Sequence, residues 1–537
     1  MDTFRRDFLR LAGGGLAGAA AASVAAPGAH GQPAPIPAAA TSGTFDVRLY
    51  GAKGNGVAID TPAVNRAIDA ANSAGGGTVR FPPGTYACYS IHLKSNVMLY
   101  LEQGATILAA SVPDEGATSG ARYDAAESNQ PWEAYQDYGH NHWHNSLIWG
   151  ENIQNFAILG PGLIWGKGLS RGARELPLAE TPGMGNKSIA LKNCHNVILR
   201  DFSILQGGHF GILATGVDNL TIDNLKIDTN RDGMDIDCCR NVRISNCSVN
   251  SPWDDGICPK SSFALGYARA TENVTIANCY VTGAYQLGTM LDGTWKKFPP
   301  GSRVSRTGRI KCGTESNGGF KNIAISNCIF EGCQGLALES EDGAMLEDVS
   351  ITNITMRDIA SAPLFLRLGS RMRGPQGAAI GQLRRVLISN VVCSNAASHL
   401  SSILSGIPGH PMEDIHLSDI YVQHQGGGTP EQAAIQPPEF ATKYPDPGMF
   451  GAMPAQGFYL RHVRNLDMSH IEIAALQPDA RPCFVLDDVQ NADFLRIQGP
   501  RDSSAPVFSL RNVENFQVNL SRNVPDTSLP KAQNQTL

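Results

Sequence analysis

Asp254 and Asp255 stand side by side in NSPWDDGICPK, residues 250–260. Neighbouring carboxylates repel, and successive residues of a strand point to opposite faces, so the pair needs a reason. The surrounding repeat supplies one. Asp232 lies 13 residues after Asn219, and Asp254 lies 13 residues after Asn241. Both asparagines head the same recurring phrase. Asp232 and Asp254 are therefore expected in one column of successive coils, roughly 4.8 Å apart, with Asp255 one step on. A backbone bend at that point would bring all three acids into one groove. Close carboxylates push their proton affinities apart, so that one keeps a proton while another stays ionised. Hydrolysis of a glycosidic bond needs that division: an acid protonates the leaving oxygen and a base activates water. The spacing also fits a calcium site or plain Asp-rich turns, and by itself leaves all three open.

The recurring phrase dictates the elements that position these acids. HNVILRDFSI, DNLTIDNLKI, RNVRISNCSV, ENVTIANCYV, KNIAISNCIF and EDVSITNITM share one pattern. Counted from Asn196, Asn219, Asn241, Asn273, Asn322 and Asp348 as zero, apolar residues fall at plus 1, 3, 6 and 8, and a polar residue, usually Asn or Asp, falls at plus 5. Alternation of period two means strands. The skip from plus 3 to plus 6 means a bend at plus 5, where stacked asparagines can satisfy the corner. Short strands repeating every 22 or 23 residues describe a solenoid. The expected fold is all-β, a right-handed parallel β-helix. DTPAVNRAIDAANSAGGG, with Pro62 early and Gly75 as a stop, reads as a short N-terminal capping helix over the open strand edges.

The chain has 537 residues, 42% of them apolar and 17% charged, with 57 Gly and 32 Pro. That composition suits a turn-rich β protein. A net charge of −6 argues against a nucleic-acid partner, which calls for a basic face. Arg5 and Arg6, a weak Ala/Gly-rich run and the small residues ending at Ala25 resemble a twin-arginine export signal. No other run is long enough to cross a membrane. The expected division is a signal at 1–31, a linker at 32–44, a β-helix catalytic domain at 45–520 with its cap at 45–90, and a C-terminal tail at 521–537. The mature protein is expected in the periplasm or secreted, as a monomer. Of twelve cysteines, Cys247, Cys279 and Cys328 fall in the apolar plus-6 column and read as buried stack members.

TNRDGMDID (229–237), DDGICPKS (254–261) and GRIKCGTESNGG (308–319) occur in that order. Together they resemble the polygalacturonase-type family, glycoside hydrolase family 28, with its Asn-Thr-Asp-Gly, paired-Asp and Arg-Ile-Lys motifs. YGAKGNGVAIDTPAVNRAID is similar to the opening of its bacterial members. The resemblance covers about residues 45–500. It implies a β-helix hydrolase that inverts the anomeric carbon of pectin-like, galacturonate-containing chains without a metal or other cofactor. Asp254 would be the general acid, and Asp232 and Asp255 the bases that hold or activate water. Arg309 and Lys311 would bind a sugar carboxylate, since a guanidinium offers a bidentate fork and an ammonium a point charge. Lys260 is a further candidate for that role, and Asn230 of the first motif a further substrate contact.

Two departures stand out. Arg231 replaces the Thr of the first motif. The family's Gly-His-Gly motif is missing, and alignment on Asn273 puts Tyr285 where its histidine belongs. Tyrosine donates a hydrogen bond but does not titrate near neutrality. His209, 13 residues after Asn196, is a candidate replacement in the Asp232 column. A polysaccharide lyase on the same scaffold and a carbohydrate-binding β-helix without catalysis are the alternative readings. WEAYQDYGHNHWHNSLIWG (132–150) suits a groove wall for sugar, or a metal if His140, His142 and His144 share a strand face. Arg367, Arg371 and Arg373 either extend an anion-binding groove or face solvent. The long inserts after Asn273 and Asp414 would close a groove end and favour exo action.

Overall fold

The computed structural model describes residues 43–112, 122–171, 183–500 and 505–537. The twin-arginine segment and nearly all of the linker lie outside the described residues. From Thr44 onward the chain winds as a right-handed parallel β-helix. One face of the coil runs Gly77–Phe81, Val97–Leu101, Gln154–Leu159, His195–Arg200, Asp218–Asp223, Arg240–Ser245 and Thr271–Ala277, each hydrogen-bonded in parallel to the next. A second face carries the plus-7 to plus-9 residues, as in Ser203–Leu205, Lys226–Asp228 and Ser248–Asn250. The third face, which positions the carboxylates, stacks Ile148–Glu151, Lys187–Lys192, Phe210–Thr215, Asp232–Asp237 and Ile257–Lys260. Lys311–Cys312, Leu336–Ser340 and Leu364–Leu368 continue it.

The apolar columns form the core. Val197, Leu199, Phe202 and Ile204 are buried, as are Val242, Ile244, Cys247 and Val249 two coils on. All twelve cysteines are free and buried. Two corner ladders exist where the pattern suggested one. The zero-position Asn219, Asn241 and Asn273 and the plus-5 Asn224, Asn246 and Asn278 all have left-handed φ, between 53° and 59°. Asparagine tolerates this region because its short amide can bond locally. Here the amides bond between coils: Asn219 donates to Asn196 at 3.0 Å, Asn273 to Asn241 at 3.1 Å, and Asn278 to Asn246 at 3.3 Å.

The helix spans Thr61–Ser73 and buries Ala63, Val64, Ala67, Ile68 and Ala71 against the first coils. The cap is narrower than 45–90, because Gly77–Phe81 and Gly84–Cys88 are already coil strands. The C-terminal residues are more than a tail. Thr527–Thr536 runs antiparallel along Phe508–Asn519 and covers the last parallel edge with a polar strand, an ordinary guard against edge-to-edge association. Its side chains are mostly polar, so no alternation announced it.

Candidate active site

The register of the third face corrects the expected stacking. Phe210, not His209, lies opposite Asp232. Met234 lies opposite Ile257, which carries Asp232 onto Asp255 rather than Asp254. The phrase is counted on the first face, and the bend joining the faces differs by one residue between coils, so the count slips by one. Convergence survives the slip: one oxygen from each of Asp232, Asp254 and Asp255 lies within 4.8 Å of the others. Gly233 and Gly256 follow the acids because the coils touch there; a side chain at Gly233 would strike the Gly256 carbonyl.

The three carboxylates have different surroundings. Asp255 is buried, accepts from Arg309 Nε at 2.9 Å, and pairs with the Lys311 ammonium. Burial opposes its ionisation, but Lys311 and Arg309 outweigh burial and hold its carboxyl well below the usual range. Asp232 is equally buried and has no such pair among the described residues. Burial first, then the neighbouring Asp254 and Asp235, push its carboxyl well above the usual range. Asp254 is the outer member, with 26% of its side chain exposed, and accepts from Arg231 Nη2 at 2.6 Å. Arg309, Lys311 and Arg231 already counter the cluster's charge, which makes it a poor cation cage.

These acids, with Lys260, Lys311 and Arg231, line a cavity of about 230 Å³. Two inserts wall it. Trp143 packs on Ala190, Phe210, Leu213 and Ala264 of the outer face toward the N-terminus. Phe450, Met453 and Ala455 pack on Phe365, Ile403 and Tyr459 toward the C-terminus. Each insert sends a tyrosine to the cavity, Tyr138 and Tyr444. The walls are tied through residues 370–373: Arg373 pairs with Asp137 at 2.7 Å, and Ser370 donates to the Ala441 carbonyl at 2.6 Å.

The remaining candidates fall in different places. Arg309 does not line the cavity; it lies behind Asp255 and reaches Glu339 at 3.6 Å. Lys260 lies 3.8 Å from Asp235 and 3.9 Å from Glu315. His209 lines the cavity, its Nδ1 buried without a hydrogen-bond partner among the described residues. Burial, then Arg231, hold its imidazole well below the usual range, so it is neutral. Asn230 is buried beside the cavity rather than on its wall, and its carbonyl accepts from the Trp253 amide at 3.0 Å. Tyr285 lies off the site, hydrogen-bonded to Glu331 at 3.2 Å and edge-on to Trp295.

The three spaced histidines share no strand face: their segment is irregular and each finds its own partner. His140 pairs with Glu315 and approaches Asp235 at 3.5 Å, His142 approaches Glu133 at 3.7 Å, and His144 pairs with Glu151 at 2.9 Å. Arg367 is buried and donates to the carbonyls of Glu439 and Phe440, which anchors the second insert. Arg371 pairs with Asp342 at 2.5 Å. The arginine cluster thus braces the wall. Asp137, Asp235, Glu315 and Tyr444 were not among the expected site residues; Asp137, Glu315 and Tyr444 reach the site through loop placement, and Asp235 from the strand Asp232–Asp237. Only the Asp-rich 229–237 motif carried a local signal, for Asp235.

Glu339 gives a pH test of this buried network. Neither of its oxygens has a hydrogen-bond partner among the described residues. Burial lifts its carboxyl to about 7, with Lys311 and Arg309 pulling back only in part. A folded value above the unfolded one, near ~4.3, means stability that is complete below the unfolded value and lost as pH rises through about 7. The loss is on the order of 4 kcal/mol at most. Glu339→Gln should therefore gain on the wild type in denaturant midpoint between pH 5 and pH 8. Parallel pH dependences would show that Glu339 ionises as freely as an exposed acid.

Residues 44–285 match the family model described as rhamnogalacturonase A/epimerase, pectate lyase-like. An exo-poly-alpha-D-galacturonosidase of Dickeya chrysanthemi is 24% identical over 264 residues, 41% of this chain and 42% of the relative. A polygalacturonase of Malus domestica is 26% identical over 300 residues, 53% and 59%. The chain is similar to the polygalacturonase-type family over these residues. It spans about half the length of these curated relatives. Among solved structures, the Family 28 exopolygalacturonase of Yersinia enterocolitica superposes with a TM-score of 0.60 at 18% identity, covering 86% of this chain and 79% of that one. The exopolygalacturonase of Thermotoga maritima gives 0.55 at 16%, covering 92% and 95%. At these identities the structural likeness establishes the shared fold. The chain carries the paired acids and the Arg-Ile-Lys motif on which that similarity rests and departs from it at Arg231 and Tyr285.

Proposed function

We propose that this chain is an exported glycoside hydrolase that removes terminal units from pectin-like, galacturonate-containing chains. One observation carries the reading: three carboxylates with opposed surroundings meet in a cavity walled on both sides. Asp254, the exposed member, is the general acid. Asp255, held ionised, and Asp232 position and activate water. The cavity is smaller than the ~300–1,000 Å³ of a drug-sized site, which suits one sugar unit and favours exo over endo action. The free, buried cysteines favour folding before an oxidising compartment is reached, as a twin-arginine route requires. In the described residues no helix is long and apolar enough to cross a membrane.

The test is product analysis on polygalacturonate and its oligomers. The expected result is release of short saturated reducing sugar, whose first-formed anomer is inverted. The nearest carboxylate oxygens are closer than the ~6.5–9.5 Å spacing usual for inversion. A first-formed anomer of retained configuration would therefore make one carboxylate a nucleophile. An unsaturated product absorbing in the ultraviolet would replace hydrolysis with elimination, and binding without any product would leave a carbohydrate-binding β-helix.

A further inference from the structure

The cations around the cavity differ in how freely they can meet a ligand. Arg309 and Lys311 are committed to Asp255, and Lys260 lies between Asp235 and Glu315, with all six of these side chains no more than 5% exposed. Drawing any of the three cations away would strand a buried carboxylate, which costs several kcal/mol. Arg231 is different. Its side chain is 34% exposed and that of its partner Asp254 is 26% exposed, so water can replace either in an exchange that costs little. Arg231 Nε is buried at the cavity and has no hydrogen-bond partner among the described residues. One edge of the guanidinium is thus ready for bidentate contact with a carboxylate.

We propose that Arg231 receives the carboxylate of the reacting anionic sugar, and that this contact draws the guanidinium off Asp254 and so arms the general acid. The inference rests on Asp254 being that acid. Proton bookkeeping closes within the cluster. Asp232 holds the proton in the free enzyme. Once Asp254 loses its guanidinium partner, the proton passes from Asp232 to Asp254, directly or through one water. Asp254 then protonates the glycosidic oxygen as the bond to the anomeric carbon breaks. Water attacks that carbon and gives its proton to the now ionised Asp232. Asp254 ends as a carboxylate and pairs with Arg231 again when product leaves. A neutral sugar cannot compete for the guanidinium and leaves the acid clamped.

The experiment compares galacturonate oligomers with their methyl esters, which have the same ring without the charge. Wild type is expected to prefer the acid form by about 100-fold or more in kcat/KM. In Arg231→Gln and Arg231→Ala that preference should fall at least tenfold, with kcat on the ester retained or raised because Asp254 is no longer clamped. A preference unchanged in whichever variant folds, or a wild type indifferent to esterification, would overturn the proposal. A fall in acid and ester turnover by the same factor would overturn it as well, since a purely structural role predicts that. Asp254→Asn separates this from the underlying reading: wild-type turnover there removes the hydrolase assignment whatever Arg231 does.

Discussion

Asp254→Asn is expected to lower kcat by roughly 10²–10⁴-fold, the usual worth of a positioned general acid, while leaving the fold's stability nearly unchanged. Both halves follow from geometry. The asparagine keeps the shape and can still accept from Arg231, but has no proton to give. The ion pair it replaces is partly exposed on both sides, and such pairs contribute about 0–1 kcal/mol. Turnover on galacturonate oligomers and a denaturant midpoint measured on the same preparation check it. A midpoint that collapses together with activity would mean that Asp254 supports the fold.

Asp255→Ala should behave in the opposite way, with activity and stability lost together. Arg309 and Lys311 are each 4% exposed and share Asp255 as their close partner. Removing one side of a buried pair costs about 3–5 kcal/mol, because a charge is left uncompensated. Here two charges are left. Glu339 is the nearest substitute, 3.6 Å from Arg309, and it can relieve part of the cost by ionising more fully. Chemical denaturation of Asp255→Ala beside Asp254→Asn measures the contrast directly. Equal midpoints would show that water reaches Arg309 and Lys311 once the carboxylate is gone.

The solenoid was legible because each coil repeats one local rule. Val197, Leu199, Phe202 and Ile204 obey the period of a strand and its bend, and their counterparts obey it again a coil later. Local periodicity and left-handed Asn corners are short-range properties, so a single chain displays them openly. The three acids were legible as a group for the same reason. Their order within the group was not: a one-residue difference in a bend moved Asp255, rather than Asp254, in line with Asp232. His209 slipped in the same way, and Phe210 took its expected place.

Tyr285 and the arginine cluster mark the other limit. Alignment placed Tyr285 in the site, yet its loop folds away toward Glu331 and Trp295. Arg367 reads as an anion binder, but the carbonyls it satisfies belong to an insert some seventy residues on. The sequence by itself determined the coil, the faces that the apolar columns take and the presence of an acidic cluster, because these follow from spacing along one strand and its neighbours. Only the tertiary structure decided which acid is held ionised, which cation is exposed and where the cavity ends. Those depend on burial and on charges brought together from residues 137 to 444, and no local pattern encodes such distances.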